Sequence, residues 1–185
     1  GIVYHKHFDM EYLSWCMVMG AVWMLGESNL RQILVPNASA LGSLCFVMIL
    51  LCPIPLLLYA DCVQHGLHHR LYCWIGGAAL LDFAICSILT TADIADYIET
   101  LPIGQIILIG TFLIIFIHLC LYTHASQDRA DHLLLLGLLI AMLCVAAESA
   151  SVYFITNISG VFIGISMLIL LFISILRTIR NIKNM

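Results

Sequence analysis

Few side chains in this sequence could do chemistry, and most are carboxylates and imidazoles at the ends of apolar runs. Asp82 is the exception, because it falls midway along the run 71–90. An ionisable group at that depth is costly in lipid unless it is paired or protonated, which makes it a functional candidate. It could hydrogen-bond a neighbouring helix, couple a signal or ligand to helix packing, or take part in ion transport. A proton path needs a chain of such groups, whereas Asp82 stands alone in its run and Glu148 lies near the end of another. Glu27 and Arg31 are four apart, so on a continuous helix they share a face and can pair. Gln32 and Asn37 extend that polar cluster, while Asp93 and Asp96 crown the run that holds Asp82. Glu27, Arg31, Gln32, Asp82, Asp93, Asp96 and Glu148 are therefore the candidates for ligand binding or signal coupling. For those at run ends the plainer alternative is a set of interfacial ion pairs that fixes helix termini.

Other chemistries find less support. His65-x-x-His68-His69 lies beside Asp61 and Cys62, and such spacing can hold zinc weakly. It lacks the two paired ligand clusters of a closed structural site and reads better as a solvated, partly cationic loop. His118, on an apolar run, reads as a packing residue, and His124 and His132 flank a short polar joint. No nucleophile-elbow, zinc-protease or phosphate-cradling pattern occurs, and no basic stripe suits nucleic acid. The residues thus predict no catalytic group, cofactor, metal or nucleic-acid partner. The eight cysteines form no Cys-x-x-Cys, and most sit inside apolar runs. They read as buried small hydrophobes rather than a disulfide framework.

The elements that must position these groups follow from composition. The chain has 185 residues, 63% hydrophobic and 10% charged, against roughly 25% charged in soluble domains. Its mean hydropathy is +1.07. Apolar runs alternate with short polar joints, and a run of about 20 residues crosses a hydrocarbon core about 30 Å thick. The prediction is an all-α polytopic transmembrane bundle, one domain over 1–185. It has six spans at about 12–34, 41–60, 71–90, 103–123, 133–150 and 158–180, the first apolar to 25 and continuing helically to 34. Lys6, Arg70, Arg129, Arg177, Arg180 and Lys183 fall in joints on one side, and only Arg31 falls on the other. The positive-inside rule then places both ends in the cytoplasm, as an even number of spans requires.

Packing devices are also legible. Pro53 and Pro55 each remove a backbone donor and interrupt the second run, as a fixed kink or as a moving hinge. Gly160-x-x-x-Gly164 lets another helix approach closely, and residues 146–151 offer a second small-residue surface. Packing within the chain is the expected use of both, with a homodimer contact as the alternative. Ile173, Leu176, Ile179 and Ile182 recur every three residues on a stretch that also carries Arg177, Arg180 and Lys183. That stretch is either a stop-transfer flank or a signalling helix. Gly1 in place of an initiator Met, and an end at Met185 inside a polar helical run, give the expectation that both ends are cut.

The stretch Trp23-Met24-Leu25-Gly26-Glu27-Ser28-Asn29-Leu30-Arg31-Gln32-Ile33-Leu34-Val35-Pro36-Asn37, followed by Pro53-Ile54-Pro55-Leu56-Leu57-Leu58, resembles the membrane region of bacterial seven-transmembrane receptors with diverse intracellular signalling modules. The version that precedes diguanylate cyclase domains is the most similar. The resemblance implies an extracellular sensory region, seven spans in the bacterial cytoplasmic membrane, and a cytoplasmic enzyme or kinase domain. Residues 1–6 would end the first span, and the six runs here would be the second to seventh. The sensory and output regions are missing, and no ligand residues carry over by position. The expected function is relay of an extracellular or membrane signal to a downstream cytoplasmic domain that makes cyclic di-GMP. A small transporter or channel that uses Asp82 is the alternative.

Overall fold

A computed structural model of the chain describes residues 8–27, 38–126, 129–153 and 161–183. It holds α1 (Phe8–Glu27), α2 (Ala38–Leu51), α3 (Pro53–Val63), α4 (His69–Thr91), α5 (Tyr97–Ser126), α6 (Arg129–Tyr153) and α7 (Val161–Lys183). No strand occurs among the described residues. Three helical stretches are long and apolar enough to cross a membrane: Leu41–Val63, His69–Thr91 and Glu99–His124. The apolar stretches His132–Glu148 and Gly164–Leu176 are shorter. Large apolar side chains point outward along these helices, among them Trp74, Leu81, Ile88, Ile106, Leu121, Leu168 and Phe172. A soluble monomer rarely leaves so much apolar surface uncovered.

The helix ends differ from expectation where local chemistry is strong. The predicted joint 61–70 shrinks to five residues, because α3 runs through Val63 and α4 starts at His69. Two helices close with the same device. Gly66 N–H donates to the Asp61 carbonyl (2.9 Å) and His65 N–H to the Cys62 carbonyl (3.2 Å), with His65 at φ 55°. At the end of α4, Ile94 N–H donates to Leu89 (3.0 Å) and Asp93 N–H to Thr90 (3.3 Å), with Asp93 at φ 54°. These are paired 6→1 and 5→2 bonds around a left-handed residue, which satisfy carbonyls the helix itself leaves open.

The predicted start of the fourth run at 103 moves back to Tyr97. Pro102 lies inside α5, where it removes only its own donor, and Thr100 Oγ1 donates to the nearby Tyr97 carbonyl (3.2 Å). Asp96 takes the position before the helix, where its carbonyl accepts from Glu99 (3.0 Å) and Thr100 (3.3 Å) N–H. The second run is broken at Cys52, between α2 and α3. Cys52 nonetheless keeps right-handed helical dihedrals (φ −55°, ψ −34°). Pro53 and Pro55 are both buried beside it. The extension of the first run from 28 to 34, and Gly160, lie outside the described residues.

The chain divides into two compact units, Gly1–Thr111 and Phe112–Met185. In the first, α1 packs on α2 and α3, and α4 packs on both of those. Helices α1 and α2 come close at Gly26, where any Cβ would fall on Cys45. Cys45 Sγ also donates to the Val22 carbonyl (3.2 Å). Gly104 at the start of α5 gives room to Leu50 of α2 in the same way. In the second unit α6 packs on α7. Leu134, Leu138, Ala141, Val145 and Glu148 are buried at alternating spacings of four and three. That is one helical face, on which Gly137 makes space for Ile173 and Leu170 of α7.

Candidate functional site

A polar site in the first unit surrounds the turn between α3 and α4. The left-handed pair His65–Gly66 reverses the chain tightly enough to bring the last turn of α3 against the first turn of α4. Asp61 Oδ2 then meets His69 Nδ1 at 2.7 Å, with the two side chains 15% and 63% exposed. His69 Nε2 lies 3.5 Å from Cys73 Sγ, one helical turn further along. A carboxylate can only accept, so His69 donates through Nδ1; an imidazole in its neutral form then accepts through Nε2, and the thiol is the donor to it. Beneath this chain Tyr72 Oη donates to Gln64 Oε1 at 3.1 Å, both residues being buried. Gln64 Nε2 and Asp61 Oδ1 are buried with no hydrogen-bond partner among the described residues.

Asp82 occupies a second site. It shares the one packed face of α4 with Tyr72, Ala79 and Cys86, at spacings of three, four and seven. Its Oδ1 accepts a long contact from Cys86 Sγ (3.8 Å), and its Oδ2 lies where a Cβ on Gly104 would be 3.5 Å away. The carboxylate therefore lies beside Gly104 of α5, at a distance where a Cβ there would make only ordinary contact. Toward the α4–α5 turn the contacts become aromatic. Trp23 meets Phe46 edge-on at 5.9 Å, and Phe46 stacks on Tyr97 at 6.1 Å. Tyr97 Oη donates to Ser87 Oγ at 3.4 Å, which ties α1, α2, α4 and α5 together at one end.

The remaining candidates divide as follows. Asp93 and Asp96 are exposed and serve the helix ends described above. Glu148 is buried, 2% exposed, on the face of α6 that carries Gly137. Glu27 ends α1, and its side chain lies outside the description, as do Arg31 and Gln32. Gly164 is in α7, part-exposed. Among the described residues no three of His, Cys, Asp or Glu converge to hold a metal. None of the eight cysteines is in a disulfide; Cys16, Cys45, Cys52 and Cys86 are buried, and Cys62, Cys120 and Cys144 are part-exposed. Cys73 departs from the buried-thiol expectation by being exposed. Sequence reading missed the Asp61–His69–Cys73 chain. The available signal was His69 and Cys73 at i and i+4, but only the tight turn reveals that Asp61 reaches back to them.

With the folded features in hand, the class is that of an all-helical protein with helices able to cross a membrane. No known family model, curated protein or solved structure matches the chain.

Proposed function

We propose that this chain is the membrane-embedded relay of a bacterial sensor, held in the cytoplasmic membrane by six helical runs with both ends on the cytoplasmic side. An input from outside or from the lipid would change how the helices pack. The last helix would carry that change to a cytoplasmic output domain, a diguanylate cyclase being the output that the sequence resemblance favours. The observation that carries this reading is the continuity of α7. It runs without a break from its apolar stretch Gly164–Leu176 to Lys183. Seven further residues at about 1.5 Å each form a rigid rod about 10 Å long beyond the apolar part. The six-to-one sidedness of the cations supports the orientation.

A stimulus shifts such a balance only by its differential affinity for the two packings. Glu27, Arg31, Asp82 and Glu148 are the polar groups proposed to differ between them. The coding sequence beyond residue 185 is the first test. A helical linker followed by a Gly-Gly-Asp/Glu-Glu-Phe motif is expected, and a stop codon there would remove the output from the proposal. In the longer protein, Glu27→Gln, Arg31→Gln, Asp82→Asn and Glu148→Gln should each alter regulated output. Unchanged regulation in all four would sink their assignment.

A second reading rests on Asp82, the mid-helix carboxylate seated against Gly104. A small transporter or channel would move substrate or protons with this chain alone in proteoliposomes and lose that flux in Asp82→Asn. Absence of flux leaves the relay as the better account.

A further inference from the structure

The carboxylate–imidazole–thiol chain at the α3–α4 turn has the order of a nucleophile, a base and a group that orients the base. We propose that Cys73 is an activated nucleophile, and that it accepts an acyl group from a long-chain acyl thioester. His69 is the base. Its Nδ1–H is fixed on Asp61 Oδ2 at 2.7 Å, which leaves the Nε2 lone pair directed at Cys73 Sγ, 3.5 Å away. The i, i+4 spacing on α4 holds base and nucleophile on one face, and the Schellman-type closure of α3 holds Asp61 in register with them. This is the general arrangement in which a weak nucleophile is made reactive by an adjacent oriented base.

The surroundings favour an acyl thioester over other electrophiles. Cys73 is exposed, near the end of a helix long and apolar enough to enter a membrane. Leu67, Leu71 and Trp74 beside it are exposed, Trp74 by 81%. They offer an apolar landing for the alkyl chain at the level where an amphipathic ring prefers to sit. The thiol proton passes to His69 Nε2 as Sγ attacks the thioester carbonyl carbon. The tetrahedral adduct collapses by breaking the bond to the donor sulfur, which leaves as a thiol carrying the proton from His69. One carbon–sulfur bond forms and one breaks, with no change of oxidation state. Asp61 is a positioning residue, since it acts only through His69.

The test uses the intact chain in detergent micelles, with every cysteine followed by peptide mass spectrometry. Under limiting iodoacetamide, Cys73 should react at least about tenfold faster than Cys62, the part-exposed thiol of the neighbouring helix, because a positioned base contributes 10²-fold or more to such steps. His69→Ala should abolish that advantage. Asp61→Asn should reduce it several-fold and Asp61→Glu should restore most of it, a rescue that a merely structural role would not give. Incubation with palmitoyl-coenzyme A should then place a hydroxylamine-labile acyl group on Cys73 of the parent chain and not on that of His69→Ala. Equal alkylation of Cys73 and Cys62, or of Cys73 with and without His69, would overturn the activated nucleophile. Fast alkylation without acylation would overturn the acyl-acceptor assignment.

Discussion

His65 and Asp93 do the same work at two helix ends, and neither is the residue the position prefers. Both adopt a left-handed conformation, at φ 55° and 54°. The Cβ crowding there costs an L-residue roughly 1–2 kcal/mol, which glycine avoids. Glycine returns roughly 0.5–1 kcal/mol through the greater freedom of the unfolded chain. His65→Gly and Asp93→Gly should therefore each stabilise by about 0.5–1 kcal/mol, read as a rise of roughly 1–4 °C in the thermal midpoint in detergent. His65→Val, which adds β-branching at the same φ, should lower it. Equal midpoints for the glycine and valine variants would show that the turn relaxes. The glycines that permit close packing give the opposite sign. At Gly26 the obstacle is Cys45, whose side chain is too short to swing away: an added methyl meets its Sγ and lies 2.8 Å from its Cβ. At Gly104 and Gly137 the obstacles are the flexible ends of Leu50 and Ile173. Overpacking costs about 1–3 kcal/mol where neighbours cannot yield. Gly26→Ala should fall at the upper end of that range and Gly104→Ala at the lower. Gly26→Ala combined with Cys45→Ala should recover part of the loss, measured as a coupling energy in a double-mutant cycle.

Among the elements, what was legible in the sequence was the existence of the helices, because long apolar runs leave no other way to satisfy the backbone in lipid. What was not legible were their ends. The fourth run is predicted to start at 103, where its apolar stretch begins. The helix instead begins at Tyr97, six residues earlier, with Asp96 before it and Glu99 in its first turn, a signal of acidic residues at a helix N-terminus that apolar content alone does not show. The end of α3 was hidden because His65, not glycine, takes the left-handed position. The Asp61–His69–Cys73 chain was lost with it, since a joint of ten residues would not have brought Asp61 back to His69. Asp82 was found by composition, but its seat beside Gly104 depends on which face of α4 is packed, and α4 is apolar almost all round. Of the elements, α2 and α3 make a test of their own. Pro53 and Pro55 withhold the donors that would reach the carbonyls of Ile49 and Leu51, yet Cys52 stays helical in its dihedrals. If the break is a point of opening, Pro53→Ala with Pro55→Ala should slow amide hydrogen exchange over 49–57 in nanodiscs by about tenfold, equivalent to about 1.4 kcal/mol of local stability. Unchanged exchange would make the prolines a static kink.

For the molecule as a whole, the decisive property is how α7 leaves the apolar layer. Ser166, Met167, Leu170, Ile173 and Ser174 form its buried face, while Leu168, Phe172, Ile175, Leu176 and Ile179 are exposed. The face against α6 therefore has a defined phase, and a continuous helix to Lys183 preserves that phase past the apolar stretch. A relay that works by rotating or shifting such a rod is sensitive to phase, whereas a flexible tether is not. Each residue inserted after Leu176 turns the following segment by about 100° and advances it by about 1.5 Å. If the proposed relay drives a diguanylate cyclase that follows residue 185, one or two inserted alanines should change cyclic di-GMP output in cells strongly, in either direction. Four inserted alanines, close to one full turn, should restore most of the parent level although they displace the output domain furthest. Output that falls steadily with insertion length, or ignores it, would replace the rigid rod by a simple anchor and remove the mechanical part of the proposed relay.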